Sequence, residues 1–249
     1  MPKLGLGSSL NRAGLVTPSI VTDSLVLKHN YAAGGVVPVS DGAAYFDASA
    51  TDYIDLDAHV GDFSSLTTGT ISVWFKTSTT STYKEIFTAS DKSDEASDVT
   101  LGIKSDNTVL FWQREASGTY YDIYSASTYT DGIWHHVAVT QDNTTMKMYV
   151  DGVLEADTDT GSKWFSDVND LDTLRIGVRE DSGGNEFPFD GYICNVGVWS
   201  AALTQAQIKS IMWKNYAGLT SSETTGLVSW WNLSANANDD HGSNDGTLT

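Results

Sequence analysis

The chain has a single cysteine among 249 residues, so no disulfide can close within it. That residue, Cys194, lies in the apolar stretch Tyr192–Val198 and reads as a small buried side chain. Cations are scarce as well: fourteen Lys and Arg stand against thirty-two Asp and Glu, for a net charge of −18. A surface this acidic repels phosphate backbones, which argues against nucleic acid as a partner. No apolar run approaches the length of a membrane span. The opening, MPKLGLGSSLNRAGLVTPSIV, has no uninterrupted apolar core of the kind a secretory signal carries. No Ser/His/Asp set, Cys/His zinc spacing or glycine-rich phosphate loop is present. His135 and His136 are strand neighbours pointing to opposite faces, so they cannot chelate one ion.

What is present is alternation. Trp134, His136 and Ala138 alternate with His135, Val137 and Val139, the period-2 pattern of a strand. The polar run Gln141–Thr145 turns the chain, and Met146, Met148 and Val150 alternate on the way back. Asp151-Gly152 then signals a type I′ hairpin turn. In Thr70–Thr77, Ile71, Val73 and Phe75 alternate with Ser72, Trp74 and Lys76. Further strands are expected at Ser24–Lys28, Val36–Val39, Ala43–Phe46, Tyr53–Leu56, Glu85–Ala89, Val99–Lys104, Thr108–Gln113, Thr119–Tyr124 and Leu174–Val178. Many short strands at steady spacing indicate a sandwich. Thr204–Trp213 is the one helix, opened by a Thr204/Gln207 capping box, with Ile208, Ile211 and Met212 on one face.

Three blocks carry a family resemblance. They are Phe46-Asp47 to Tyr53-Ile54-Asp55; Gly132-x-Trp134-His135-His136-Val137-Ala138 with Tyr149-Val150-Asp151-Gly152; and Phe189-Asp190-Gly191-Tyr192 through Trp199, followed by Ala202-Leu203-Thr204. In this order they resemble laminin G-like, pentraxin-like domains of the concanavalin A-like jelly-roll superfamily. The resemblance implies an all-β fold, an antiparallel β-sandwich of jelly-roll type with one short helix. Ala48 stands where the family usually has glycine. The expected organisation is an extended N-terminal arm over 1–22, a jelly-roll domain over 23–216, and a C-terminal strand and loop over 217–249 that packs on its own or a neighbouring subunit. Leu227–Asn232 echoes Leu25–Asn30, and in the family such a strand opens a domain rather than ending one.

The superfamily's glycosidases use a Glu-x-Asp-x-x-Glu strand to set two carboxylates across a cleft. None of Glu85, Glu95, Glu115, Glu155, Glu180, Glu186 or Glu223 starts that pattern, so no catalytic residues are assigned. No cofactor is required, but calcium is a candidate, since it takes hard oxygen ligands from loops. Two clusters offer them: Asp181, Asn185 and Asp190, and Asp239, Asp240, Asn244 and Asp245. The competing reading is that Asp and Asn simply shape turns. Glycan stacking would use Trp112, Tyr120, Tyr124 and Trp164, whereas Trp74, Trp134 and Trp199 are expected in the core. The acidic loop Asp91–Asp98 is expected to be solvated.

The apolar arm residues Leu4, Leu6, Leu10, Leu15 and Val16 are costly to leave in water and suit docking on another subunit. The N-terminus, with VVPVSDGAAYFD after it, also resembles the start of structural proteins of marine bacteriophages. The leading expectation is therefore a non-enzymatic virion component, a capsid decoration or fibre or tail accessory. It would be assembled in the host cytoplasm, with other virion proteins and its own copies as partners. The alternative is a carbohydrate-binding adhesion module that recognises host-surface glycans, with calcium as an optional ligand.

Overall fold

The computed structural model describes residues 37–94, 97–114, 120–181 and 184–249. The arm residues and the strand expected at Ser24–Lys28 lie outside the described residues, as does the side chain of Tyr120. Two antiparallel sheets pack face to face, with strands numbered in chain order. Sheet A runs β1 (Ala44–Phe46), β14 (Gly191–Trp199), β3 (Gly69–Lys76), β8 (His135–Gln141), β9 (Met146–Val150) and β10 (Val153–Asp159). The far half of β14 also pairs with β15 (Leu227–Trp231). Sheet B runs β16 (Thr247–Leu248), β2 (Ile54–Asp55), β11 (Thr173–Ile176), β4 (Lys84–Ser90), β5 (Asp98–Ile103), β6 (Thr108–Arg114) and β7 (Tyr120–Thr128). A small hairpin, β12 (Arg179–Asp181) and β13 (Gly184–Glu186), stands apart from both.

The alternation read from the sequence decides which side chains meet between the sheets. Ile71, Val73 and Phe75 of β3, Val137 and Val139 of β8, and Met146, Met148 and Val150 of β9 face Phe87, Ala89, Leu101, Phe111 and Leu174 from sheet B in one core. Fully burying a side chain of this size contributes roughly 1.5–3 kcal/mol. The opposite face of sheet A is covered too. Helix α1 (Gln205–Ile211) lays Ile208 and Ile211 against Ala138, Tyr149, Trp199 and Trp230. Its expected capping box is formed, with Thr204 and Gln207 each bonding the other's backbone. Asp151 and Gly152 take φ of +51° and +76°, the left-handed pair that a type I′ turn requires.

The two histidines part as the alternation requires. His135 points inward at one end of the sheet, between Asp151 (2.9 Å) and Asp131 (3.2 Å). His136 points to the outer side, bonds the Ser72 hydroxyl at 2.8 Å and packs on Trp74. Burial lowers the His136 pKa to about 4, so the ring is neutral. Cys194 is fully buried and burial pushes its thiol up to about 12. Residues 217–249 supply a strand to each sheet, β15 against β14 and β16 against β2. Among the described residues no helix is long and apolar enough to cross a membrane.

Candidate functional site

The chain has four arginines, and three of them, Arg114, Arg175 and Arg179, gather at the outer face of sheet B. Strand register puts them there. Val99, Phe111 and Leu174 point into the core, so their neighbours Asp98, Thr100, Trp112, Arg114 and Arg175 point out. Asp98 pairs with Arg114 across the β5–β6 ladder, and Thr100 pairs with Trp112. The β12–β13 hairpin is tied across β4 by Thr88 donating to the Val178 carbonyl (2.8 Å) and Ser90 donating to the Glu180 carbonyl (2.7 Å). That tie brings Arg179, Asp181 and Glu186 over the same face.

Asp98 is the hub. One carboxylate oxygen pairs with the Arg114 Nε, while the other accepts from the Trp112 indole and the Thr100 hydroxyl, both at 2.6 Å. Arg179 approaches that second oxygen at 3.6 Å and also pairs with Asp181 (2.9 Å) and Glu186 (2.8 Å). Guanidinium groups and rings lie beside one another: Arg114 is 5.5 Å from the Trp112 ring centre and Arg179 is 5.2 Å from that of Phe187. Tyr83 touches both aromatics, with centroids at 6.2 and 5.5 Å. Arg175 forms a flanking knot with Asp57 (3.0 Å), Glu180 and the side-chain Oδ1 of Asn185 (2.5 Å), its guanidinium 4.7 Å from the Tyr53 ring centre.

Beneath this layer lies Glu85, fully buried, with no hydrogen-bond partner on either oxygen. Burial drives its pKa up to about 8, against the pull of Arg179 and Arg114. At neutral pH it is a carboxylic acid. Gly102 faces it across the ladder, and a side chain there would collide with both the Glu85 carboxyl and the Lys84 carbonyl. With Glu85 neutral, the centre holds two guanidinium groups (Arg114 and Arg179) against three carboxylates (Asp98, Asp181 and Glu186). These charges pair with one another beside a half-buried indole, and of them Glu186 is the most open to solvent.

Of the aromatics proposed for stacking, Trp112 and Tyr124 come together on this face; Tyr124 donates to Asp122 at 2.5 Å, and the Lys104 ammonium lies 4.7 Å from its ring centre. Trp164 does not belong with them. It is fully buried among Phe111 and Phe165, because the 3-10 turn Phe165–Asp167 folds it into the core. Trp134 departs from expectation in the other direction, being only half-buried. The loop Asp91–Asp98 is not solvated at its ends: Asp91 and Asp98 are both 1 % exposed.

Neither acidic cluster is arranged around a common centre for an ion. Asp181 shares a hairpin face with Arg179 and Glu186, whereas Asn185 pairs across from Glu180 on the opposite face, and Asp190 accepts from Thr79. In the C-terminal loop the Asp239 oxygens accept the backbone N–H groups of Trp230 (2.9 Å), His241 (3.0 Å) and Asn244 (3.2 Å). Asp245 accepts the Asp239 N–H, Asp240 accepts the Asn232 N–H, and the Asn244 amide donates to Ser229. These side chains shape a loop. Among the described residues no three His, Cys, Asp or Glu side chains form a metal-holding group.

The sequence reading missed Glu85, Asp98, Arg114 and Arg179 as a unit. The available signal was the concentration of a rare residue, arginine, on strands whose alternation faces it outward.

Comparison with known proteins places the fold. Residues 47–209 match the family model described as the concanavalin A-like lectin/glucanases superfamily. Among solved structures, the CBM40 of the Ruminococcus gnavus IT-sialidase bound to α2,3-sialyllactose superposes with a TM-score of 0.61 at 19% identity, covering 69% of this chain and 96% of that one. A Bacteroides ovatus protein provisionally described as carbohydrate-binding gives 0.62 at 22% identity, over 83% of this chain and 57% of that one. The NanB sialidase of Streptococcus pneumoniae gives 0.59 at 16% identity, over 70% of this chain and 28% of that one. Identities this low establish shared fold. A curated rat protein, the sushi, von Willebrand factor type A, EGF and pentraxin domain-containing protein 1, is 33% identical over 87 residues, 32% of this chain. The chain spans 2% of that protein's length.

Proposed function

The chain belongs to the concanavalin A-like lectin/glucanases superfamily, and from that footing we propose that it is a non-catalytic carbohydrate-binding module whose glycan seat is the outer face of sheet B. The observation that carries this reading is the convergence of Arg114, Arg179, Asp98 and Glu186 around the half-buried Trp112. A sugar ring needs an aromatic surface for its C–H face and fixed donors and acceptors for its hydroxyls, and this face offers both. The similar folds include modules described as CBM40 and a carbohydrate-binding protein, which favours the same reading. The match to NanB covers 28% of that enzyme, so its catalysis is not carried over.

The virion reading draws on the N-terminal resemblance, most of which lies outside the described residues, together with the missing signal, absent disulfides and absent catalytic set, and none of the relatives above is a virion protein. The carbohydrate reading takes the lead. Its charge count sets a preference. A carboxylated sugar must displace Glu186 from Arg179, whereas a neutral sugar need not, so hydroxyl recognition dominates unless that displacement occurs. The test is calorimetric titration of the full chain with lactose and with α2,3-sialyllactose, on wild type and Trp112→Ala. Binding that weakens by about tenfold or more in Trp112→Ala, with an unchanged circular dichroism spectrum, supports the proposal. Equal affinity in the two proteins would move the seat elsewhere, and no heat with either sugar would remove the module reading.

A further inference from the structure

At one end of the outer face of sheet A lies an aromatic row that the sheet B seat does not use. The register puts Tyr45 opposite Tyr192 and Tyr192 opposite Lys76. Phe75 pairs with His135, so the preceding residue, Trp134, falls next to Lys76. Tyr45, Tyr192, Lys76 and Trp134 thus cross four successive chains in a line. Ring centres are 5.0 Å apart for Tyr45 and Tyr192 and 6.3 Å apart for Trp134 and Tyr192, with tilts of 51° and 57°. The row is exposed where a core row would not be: Tyr45 is 56% and Tyr192 42% accessible.

The row opens into a cleft of about 400 Å³, with Trp134, Tyr192 and Lys76 on one wall and the chain from Val37 to Ala43, including Ser40 and Asp41, on the other. That volume lies within the range of small-ligand sites. The Lys76 ammonium lies 5.8 Å from the Tyr192 ring centre and, among the described residues, forms no ion pair. The cleft also has a rigid floor, since Trp134 and Ala43 rest on the buried trio Trp74, Cys194 and Met212. Gly191, at φ +141°, lets β14 approach β3 so closely that a side chain there would overlap the Lys76 carbonyl. Close approach is what brings the Tyr192 ring beside Lys76.

We propose that this cleft is a second glycan subsite, in which a neutral hexopyranose stacks its C–H face on Tyr192 against Trp134 while Lys76 donates to ring hydroxyls and Asp41 accepts from them. Neutral sugar is the commitment because the chain carries −18 overall, and Asp41 lines the same cleft as Lys76, the one cation of the row. The subsite lies on the opposite sheet from the Trp112 seat and stands or falls separately from it. A module with both would bridge two glycan chains, or two parts of one, and gain avidity through local concentration.

The experiment uses the whole 249-residue chain, with the indole N–H resonances of Trp134 and Trp112 as separate reporters in ¹H–¹⁵N spectra. Lactose and cellotetraose are the probes, added up to several times a Kd of about 1 mM. Saturable movement of the Trp134 resonance is expected in wild type, Tyr192→Phe and Trp112→Ala. In Tyr192→Ala the affinity read at Trp134 should fall about tenfold or more, and in Lys76→Gln by a smaller factor. Tyr192 is surface-exposed, so its truncation leaves the fold intact. A static Trp134 resonance in wild type overturns the proposal, as does an undiminished response in Tyr192→Ala. Failure of the Trp112 resonance alone would count against the sheet B seat and leave this one standing.

Discussion

Replacing Glu85 with glutamine isolates the most unusual group in the protein. Glu85 is completely buried without a hydrogen bond, and burial lifts its pKa from 4.5 to about 8. Between those values the folded state keeps a proton that the unfolded chain releases. Folded molecules therefore bind more protons than unfolded ones, and stability must fall as pH rises through that window. The shift spans roughly 3.5 units, and at about 1.4 kcal/mol per unit the loss between pH 4.5 and 8 is of order 5 kcal/mol. This is an upper figure, since water entry or movement of Arg179 would relieve part of it. Glutamine keeps the shape and removes the titration. Urea unfolding at half-unit steps from pH 5 to 8.5 should find wild type and Glu85→Gln close together at the acid end and diverging by several kcal/mol at the alkaline end, the variant being more stable. Contributions from other groups cancel in the difference. A gap that stays flat within about 0.5 kcal/mol over the whole range would show that Glu85 is solvated or paired, and would refute the description of the site's floor.

His136 acts in the opposite direction: held neutral with a folded pKa of about 4 against 6.5 when free, it makes stability fall as pH drops through that interval, by roughly 3 kcal/mol in all. His136→Gln should have a melting temperature less sensitive to acid over pH 4–6.5. Glu186→Gln removes one anion from Arg179 and should raise affinity for α2,3-sialyllactose severalfold while leaving lactose binding unchanged, as measured by titration calorimetry. Gly191→Ala forces a side chain into the Lys76 carbonyl at positive φ and should destabilise by about 2 kcal/mol or more in urea. Asp239→Ala frees three backbone N–H groups and should cost roughly 2–3 kcal/mol, whereas a chelator added to wild type should leave its melting temperature unmoved.

The fold could be read in the sequence because sandwich strands announce which side is buried. Val137 and Val139 against His136 and Ala138, or Ile71 and Val73 against Ser72, leave little choice of face. Thr204 with Gln207 marked the helix start to the residue. The site resisted because its members come from β4, β5, β6 and the β12–β13 hairpin, and only strand register brings Asp98 to Arg114 and the hairpin to Arg179. The aromatics show the same limit. Trp164, among polar residues, reads as a surface indole and Trp134, in an alternating motif, as core, yet a single 3-10 turn sends the first inside and the end of a strand leaves the second half outside. Aspartates such as Asp239 present oxygens whatever their partner, and the sequence cannot say whether an ion or a backbone N–H receives them.

The arrangement of the last strands also decides how the molecule would respond to load. A pull on Thr249 first meets its two backbone bonds with Tyr53 (3.0 and 3.1 Å) and then β16, held to β2 by two residue pairs, which would open one after the other like a zip. Next comes the loop fastened by Asp239, and only then β15, whose Trp230 and Trp231 are rooted on opposite sides of sheet A. Some eighteen residues, about 60 Å of extended chain, would pay out before the root is stressed. A module tethered at that end would possess a built-in shock absorber, yielding at the tip while both sheets, and any sugar held on them, stay closed.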